Sequence, residues 1–338
     1  MPLPDVSLVI PGRNCARTLR PCLEAVVPML SRGALREIIF VDDGSTDDSA
    51  AVARSVGVRV IAGSGAGPGA ARNIGWRAAA ASLVWFVDSD CVAEPDALAL
   101  LLPHLEDARV AAVSGSYGTM TADSLLASLI HEEIVARHAR MPSRVTFLAT
   151  FNVLYRRSVL EALGGFNERF LKGQDAELSW RALEAGHELG FEMASRVRHF
   201  HPVSLIAYLR TQSAQGYWRV SLHREHAGHA RGDSYSGWVD HAQPLVAMLA
   251  LASVPLMWWS RAVMVTPALV AVLALLQVPM TLRLVRRTRS ARYLTFAAMS
   301  FVRAFARGWG MTRAVVHLLS RRTPESSRRE SMAQSAER

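Results

Sequence analysis

Leu83-Val84-Trp85-Phe86-Val87-Asp88-Ser89-Asp90 is a short apolar run that ends abruptly in two carboxylates. Five apolar residues without a polar break read as a strand buried on both faces, the pattern of a parallel sheet. Two acids with one spacer at a strand end can both address one divalent cation. Hard oxygen ligands suit Mg²⁺ or Mn²⁺, which bring a phosphate-bearing substrate as a further ligand. Asp-x-Asp also occurs in ordinary solvated turns, so its position has to decide.

Upstream, the same grammar repeats. Val6–Ile10 reads as a strand closed by Pro11-Gly12-Arg13-Asn14, followed by a helical pattern at Leu19, Leu23, Val26, Val27 and Leu30. A strand at Glu37–Val41 runs into Asp42-Asp43-Gly44-Ser45-Thr46-Asp47, then a helix over 47–56 and a strand over 58–62. The glycine-rich stretch 63–69 opens a helix expected over 70–81. Strand, loop and helix alternating at this pace predict an α/β fold with an open, mostly parallel sheet flanked by helices. Ligands bind such sheets at the carboxyl ends of the strands. The polar clusters 11–14, 42–47, 63–73 and 88–90 all fall there.

Each cluster suggests chemistry. A carboxylate at Asp42 or Asp43 can accept the imide N–H of a pyrimidine base, while Ser45 and Asp47 suit turn and helix capping. Glycine-rich backbone before a helix N-terminus binds phosphate, and Arg72 adds a fixed charge. A dinucleotide fingerprint can be traced through Gly65, Gly67 and Ala70, but it belongs in the first strand–helix turn, which here is Pro-Gly-Arg-Asn.

The middle is less regular. We expect a strand at 110–114, a long polar helix over 122–140, a strand–helix unit over 147–163 and a turn at 164–166. A helix over 175–186 is opened by Asp175, and a strand over 191–201 carries His199 and His201, which should point the same way.

Half of the 338 residues are hydrophobic, and the excess is concentrated. Residues 244–259 and 262–282 are uncharged apolar runs separated by Ser260-Arg261; the second is long enough to cross a bilayer. Trp258 and Trp259 suit an interface, and arginines 283, 286, 287, 289 and 292 mark the cytoplasmic side. A hairpin over 238–282 is therefore expected, followed over 283–338 by a basic interfacial helix and a disordered tail of about 16 residues. Thirteen arginines against three glutamates sit in 283–338, while the remainder is close to neutral although the chain totals +9. That distribution argues against a nucleic-acid-binding core and for a tail lying against anionic phosphate, of lipid or of nucleic acid. Three irregular cysteines supply neither a disulfide framework nor a zinc site. With no basic n-region and apolar h-region at the start, residues before ~240 are expected in the cytoplasm, at the cell membrane.

The ordered segments Val9-Ile10-Pro11-x-x-Asn14, Val41-Asp-Asp-Gly-Ser-Thr-Asp47, Gly67-x-x-x-Ala-Arg-Asn73-x-Gly75 and Asp88-Ser-Asp90 resemble family-2 inverting glycosyltransferases. These have the nucleotide-diphospho-sugar transferase (GT-A) fold. The resemblance continues through Gly164-Gly-Phe-Asn-Glu168, Gly173-Gln-Asp175-x-x-Leu178-x-x-Arg181 and Val197-Arg-His199-Phe-His201, so it covers roughly 6–220.

The resemblance implies a catalytic domain over 1–237 with Asp175 as base. Pro11, Asn14, Asp42, Asp43, Arg72 and Asp88 would hold the donor; Asp90 and His199, with His201 as the alternative, would hold a divalent cation (Mn²⁺ or Mg²⁺). The donor is expected to be a UDP- or GDP-linked sugar, and the acceptor a hydroxyl on a membrane-associated glycan or lipid. Gln174 stands where the family pattern has Glu, which removes a like charge and should ease ionisation of Asp175. The processive-synthase signature Gln-x-x-Arg-Trp is absent, so single addition is expected. Two other readings are a nucleotidyltransferase, which calls for a basic glycine-rich loop after the first strand, and a non-catalytic membrane adaptor, which leaves four polar strand ends unexplained. Because every motif lies upstream of 238, truncation at 241 is expected to spare nucleotide binding.

Overall fold

The computed structural model describes residues 5–229, 232–258 and 262–321. The first part runs β1 (Val6–Gly12), α1 (Ala16–Ser31), β2 (Glu37–Asp42), α2 (Ser49–Ser55), β3 (Arg59–Ala62), α3 (Pro68–Ala78) and β4 (Leu83–Val87). The middle adds β5 (Cys91–Ala93), α4 (Ala97–Leu101), β6 (Val110–Thr119), α5 (Leu125–His138), β7 (Arg144–Val145), β8 (Asn152–Arg156), α6 (Arg157–Leu163), α7 (Gln174–Glu184) and β9 (Glu188–His199). Five helices follow: α8 (Leu205–Glu225), α9 (Trp238–Ala252), α10 (Val265–Leu275), α11 (Val278–Thr288) and α12 (Thr295–Arg321).

The strands form one mixed sheet in the order β3-β2-β1-β4-β8-β6-β9-β5, with β7 beside β9. It is parallel from β3 to β4 and again between β6 and β9, while β8 runs antiparallel to both its neighbours. β1 is buried throughout because strands flank it on both sides and helices cover both faces. Its alternating residues feed two cores. Val6, Leu8 and Ile10 pack with Leu19 and Leu23 of α1, whereas Val9 packs with Ala71 and Trp76 of α3. A Cβ on Gly75 would collide with Val9, so glycine lets α3 approach β1.

Four elements differ from expectation for identifiable reasons. β6 continues to Thr119 because its second half pairs with β9 up to His199. β5, three residues long, escaped the periodicity and pairs antiparallel with the end of β9. The helix expected over 122–140 as a polar one is α5, a packed helix capped by Ser124, whose Oγ accepts from Ala127 N at 3.3 Å. Its charges are paired inside the protein: Glu133 accepts from Arg303 and Arg137. Asp175 does not open its helix; Gly173, in the left-handed region at φ 85°, is the N-cap and Gln174 the first helical residue.

Of the two apolar runs, the second gives a helix, Val265–Thr288, long and apolar enough to cross a membrane, with 22% of its apolar window buried. The first gives α9, which stops at Ser253 ahead of Pro255 and continues as a 3₁₀ turn, Val254–Trp258. Proline lacks the N–H and disfavours helix in the residue before it. Trp259, Ser260, Arg261 and the tail 322–338 lie outside the described residues.

The C-terminal helices share a core with the sheet-bearing part: Ile130 and Ala136 of α5 pack with Tyr208, Leu284, Phe296 and Met299. α8 and α12 lie close at Gly216, which faces the Arg307 carbonyl, and at Gly310, which faces the Ser213 carbonyl. α12 turns Arg303 and Ala304 inward and leaves Trp309, Val315, Val316 and Leu319 exposed.

Candidate active site

The carboxyl ends of β1, β2 and β4, the start of α7 and the end of β9 surround one cleft of about 850 Å³. Pro11, Asp43, Arg72, Asp88, Asp90, Asp175 and His199 all line it. Asn14 and Asp42 do not. Asn14 sits at φ 51° and its Oδ1 accepts from Thr46 N at 2.8 Å, while Asp42 Oδ1 accepts from Ser45 N at 3.0 Å. Both side chains shape the loops after β1 and β2.

Asp43 accepts from Gly65 N and Gly67 N, each at 2.8 Å, and so fixes the glycine-rich loop before α3. Arg72, buried on the first turns of α3, donates through Nη2 to Asp88 Oδ1 at 2.6 Å and lies over the Phe166 ring. Its Nε and Nη1 are buried and have no protein partner. Buried guanidinium donors left unmade are costly, and an anionic group in the cleft would satisfy them.

Pairing of β5 with β9 places Cys91 opposite His199, and Phe200 N donates to Asp90 O at 3.0 Å. That brings His199 Nε2 to 3.2 Å from Asp90 Oδ2. His199 Nδ1 meets His201 Nδ1 at 2.9 Å, and His201 is buried just beyond the strand. The two rings thus face one another, with His199 the one directed at Asp90. Burial opposes ionisation of Asp90, but the hydrogen bond and charge of His199 outweigh it and hold the carboxyl low. Cys91 is close enough to belong to the cluster, yet burial keeps its thiol far above its ordinary value. A carboxylate and an imidazole that converge, beside a neutral thiol, fit a hard divalent cation better than a zinc centre.

Asp175 is half-buried near Arg72 and Asp88. Burial raises its carboxyl above the ordinary range; Ala176 N–H and Arg72 oppose the rise and Asp88 adds to it. Burial outweighs whatever easing the neutral Gln174 gives, so the carboxyl stays raised. A raised carboxylate at a cleft is suited to accept a proton.

Behind the cleft, Asn73 Nδ2 donates to Phe166 O at 2.8 Å and to Glu168 at 2.7 Å, while its Oδ1 accepts from Phe166 N and Trp76 Nε1. Arg181 donates to Leu163 O and Gly165 O, closing α6. These motif residues lock α3, the 164–168 turn and α7 together. The opposite wall was not foreseen: Gln212, Arg219 and His223 from α8, His241 from α9 and Arg307 from α12. The signal for α8 was present as a polar stripe at 212, 215, 219 and 223, on one helical face.

The family model "Glycosyl transferase family 2" matches residues 7–164. A pre-mycofactocin glycosyltransferase of Mycobacterium tuberculosis is 31% identical over 224 residues, covering 63% of this chain and 46% of that protein. Glycosyltransferase AglE of Haloferax volcanii is 26% identical over 196 residues, covering 56% and 64%. The chain thus spans about half to two thirds of the length of these curated relatives. Among solved structures, mannosyltransferase PcManGT from Pyrobaculum calidifontis, in complex with GDP-Man and Mn²⁺, superposes with a TM-score of 0.61. It is 19% identical, and the match covers 92% of this chain and 87% of that one. That likeness is one of fold. With its ordered strand-end motifs, its sheet and these matches, the chain carries over residues 7–164 a glycosyltransferase domain of family 2.

Proposed function

We propose that the chain transfers a sugar from a UDP- or GDP-linked donor to an acceptor hydroxyl, with inversion, in the cleft above β1, β2 and β4. The convergence of Asp88, Asp90 and His199 beside a raised Asp175 carries this reading. Pro11 and Asp43 flank the base, and Arg72 meets the diphosphate through its two unpaired nitrogens. Asp88, held by Arg72, faces the ribose or sugar. Asp90 and His199 would hold the cation, and Mn²⁺ or Mg²⁺ there would supply positive charge against the departing diphosphate. Asp175 accepts the acceptor proton as the new bond forms, and a single displacement inverts the anomeric carbon. Asn14 and Asp42 act on the donor through the loops they brace.

The domain is membrane-attached in this reading, acting on a glycan or lipid acceptor at the cell membrane. Exposed Leu249 on α9, Val272 and Leu275 on α10, and Val316 and Leu319 on α12 form its lipid-facing side. Arg283, Arg286 and Arg287 close the apolar helix on the cytoplasmic side, where the catalytic part also lies. The hairpin then consists of a shorter arm, α9, and a longer one, Val265–Thr288.

The test is a panel of nucleotide sugars with Mn²⁺. Release of nucleoside diphosphate from one or more donors supports the reading. A chain that neither binds nor consumes any of them does not fit it.

A further inference from the structure

The cleft has a second, cationic end. α8 presents Gln212, Arg219 and His223 along one face, α12 presents Arg303 and Arg307, and α9 presents Asp240 and His241. Close packing at Gly216 brings α12 near enough for Arg307 Nε to donate to Gln212 Oε1 at 2.7 Å. The His223 and His241 rings meet at 5.4 Å between centroids. Both ring nitrogens of His223 and Nε2 of His241 are buried without a partner.

The acids nearby are already engaged. Asp240 receives Arg137 through both oxygens, at 2.8 and 2.7 Å, and also Gly237 N at 3.0 Å. Glu133 receives Arg303 and Arg137. Asp233 accepts from Tyr235 N and Ser236 N. Among the described residues, no carboxylate lies within ion-pair distance of Arg219 or Arg307. Burial pushes the Arg307 guanidinium down to about 10, with Arg303 adding repulsion, and burial pushes His223 down to about 4. Two guanidinium groups with no carboxylate in ion-pair distance disfavour a metal cation. Neutral imidazoles that lack partners offer N–H donors, and donors beside fixed positive charge suit an oxyanion.

α7 links the two ends of the cleft. Asp175 stands near Arg72 and Asp88, and Trp180, five residues or about 7.5 Å of helix further on, stacks with His223 at 5.9 Å. The donor diphosphate already has Arg72, so the second cluster serves another group. We propose that Arg219, Arg307, His223 and His241 bind a phosphate-class oxyanion carried by the acceptor. The word acceptor rests on the transferase reading; the anion site does not.

The test uses the full chain in neutral detergent, with nucleoside diphosphate and Mn²⁺ saturating the donor end. Binding of octyl phosphate, octanol and inorganic phosphate is then measured by calorimetry. Octyl phosphate should bind at least tenfold more tightly than octanol. Arg219→Gln and Arg307→Gln should each weaken it at least tenfold, with nucleoside diphosphate affinity unchanged within twofold. Inorganic phosphate competing at similar concentration would support a site for the anion alone; octyl phosphate binding far more tightly would support an amphiphilic acceptor. Arg219 makes no hydrogen bond or ion pair among the described residues, so its variant tests the site even where Arg307→Gln disturbs packing. Octyl phosphate binding that Arg219→Gln leaves unchanged, or that never exceeds octanol while nucleoside diphosphate binds normally, overturns the proposal. Failure of the parent to bind nucleoside diphosphate would instead count against the donor reading.

Discussion

His199 Nε2 lies 3.2 Å from Asp90 Oδ2 because Cys91 and His199 are register partners across β5 and β9. Neither residue owes its place to sequence neighbourhood, since 108 positions separate them; the sheet edge joins them. His201 faces His199 from behind through Nδ1, which fixes the His199 ring and leaves Nε2 toward Asp90.

The first prediction follows from that pair. Asp90→Ala and His199→Ala should each lower Mn²⁺ affinity and, with it, nucleoside diphosphate affinity. His201→Ala should weaken Mn²⁺ binding less, by roughly 10–100-fold, as a residue that orients a ligand does. Titration of Mn²⁺ against each variant checks the order; a larger loss in His201→Ala would move the cation site two residues on.

The buried pair of Glu133 and Arg303 makes the C-terminal helices part of the fold. Burial alone would raise the Glu133 carboxyl, but the charges of Arg303 and Arg137 outweigh it and hold it at about 2, against an ordinary 4.5. Its share of stability is therefore complete above pH ~4.5 and lost as pH falls toward about 2. Arg303→Met removes one of the two guanidinium partners of a buried carboxylate, leaves only Arg137, and should lower the denaturant midpoint. Truncation at 241 removes Arg303 as well as Leu284, Phe296 and Met299. The truncated chain should accordingly unfold at lower denaturant than the full chain. Equal midpoints would show that the first 240 residues stand alone.

Membrane attachment predicts that the full chain pellets with membranes and needs detergent for extraction. Protease added from the cytoplasmic side should cut both the catalytic part and the segment after Arg292. Cuts on opposite sides would mean a single span, and a chain that stays in the aqueous phase would contradict attachment.

Much of the cleft's sheet side was legible because it is built from strand ends. Asp43, Arg72, Asp88 and Asp90 each follow an apolar strand or a glycine-rich turn, and parallel topology gathers such positions. Asn14 and Asp42 occupy similar places, yet their short side chains bond to the loop amides of Thr46 and Ser45. Sequence position does not say which of two adjacent polar groups the backbone will claim. The pairing of β5 with β9 was hidden because a three-residue strand carries no readable period. The Arg219–Arg307 wall was hidden for another reason. It depends on how α8, α9 and α12 cross, which glycines 216 and 310 permit but do not announce.

Asp175 carries the central claim, and Asp175→Asn tests it most directly. Gly173 caps α7, so the substitution removes no cap, and Asn Oδ1 can still accept from Ala176 N. The variant should fold and bind donor and Mn²⁺ like the parent. An amide cannot take the acceptor proton, so the transfer rate should fall by ~10²–10⁴. In the parent, transfer should decline as pH drops through a value above the ordinary aspartate range, because burial raises this carboxyl. Transfer by Asp175→Asn within a few-fold of the parent, with donor binding intact, would contradict the account.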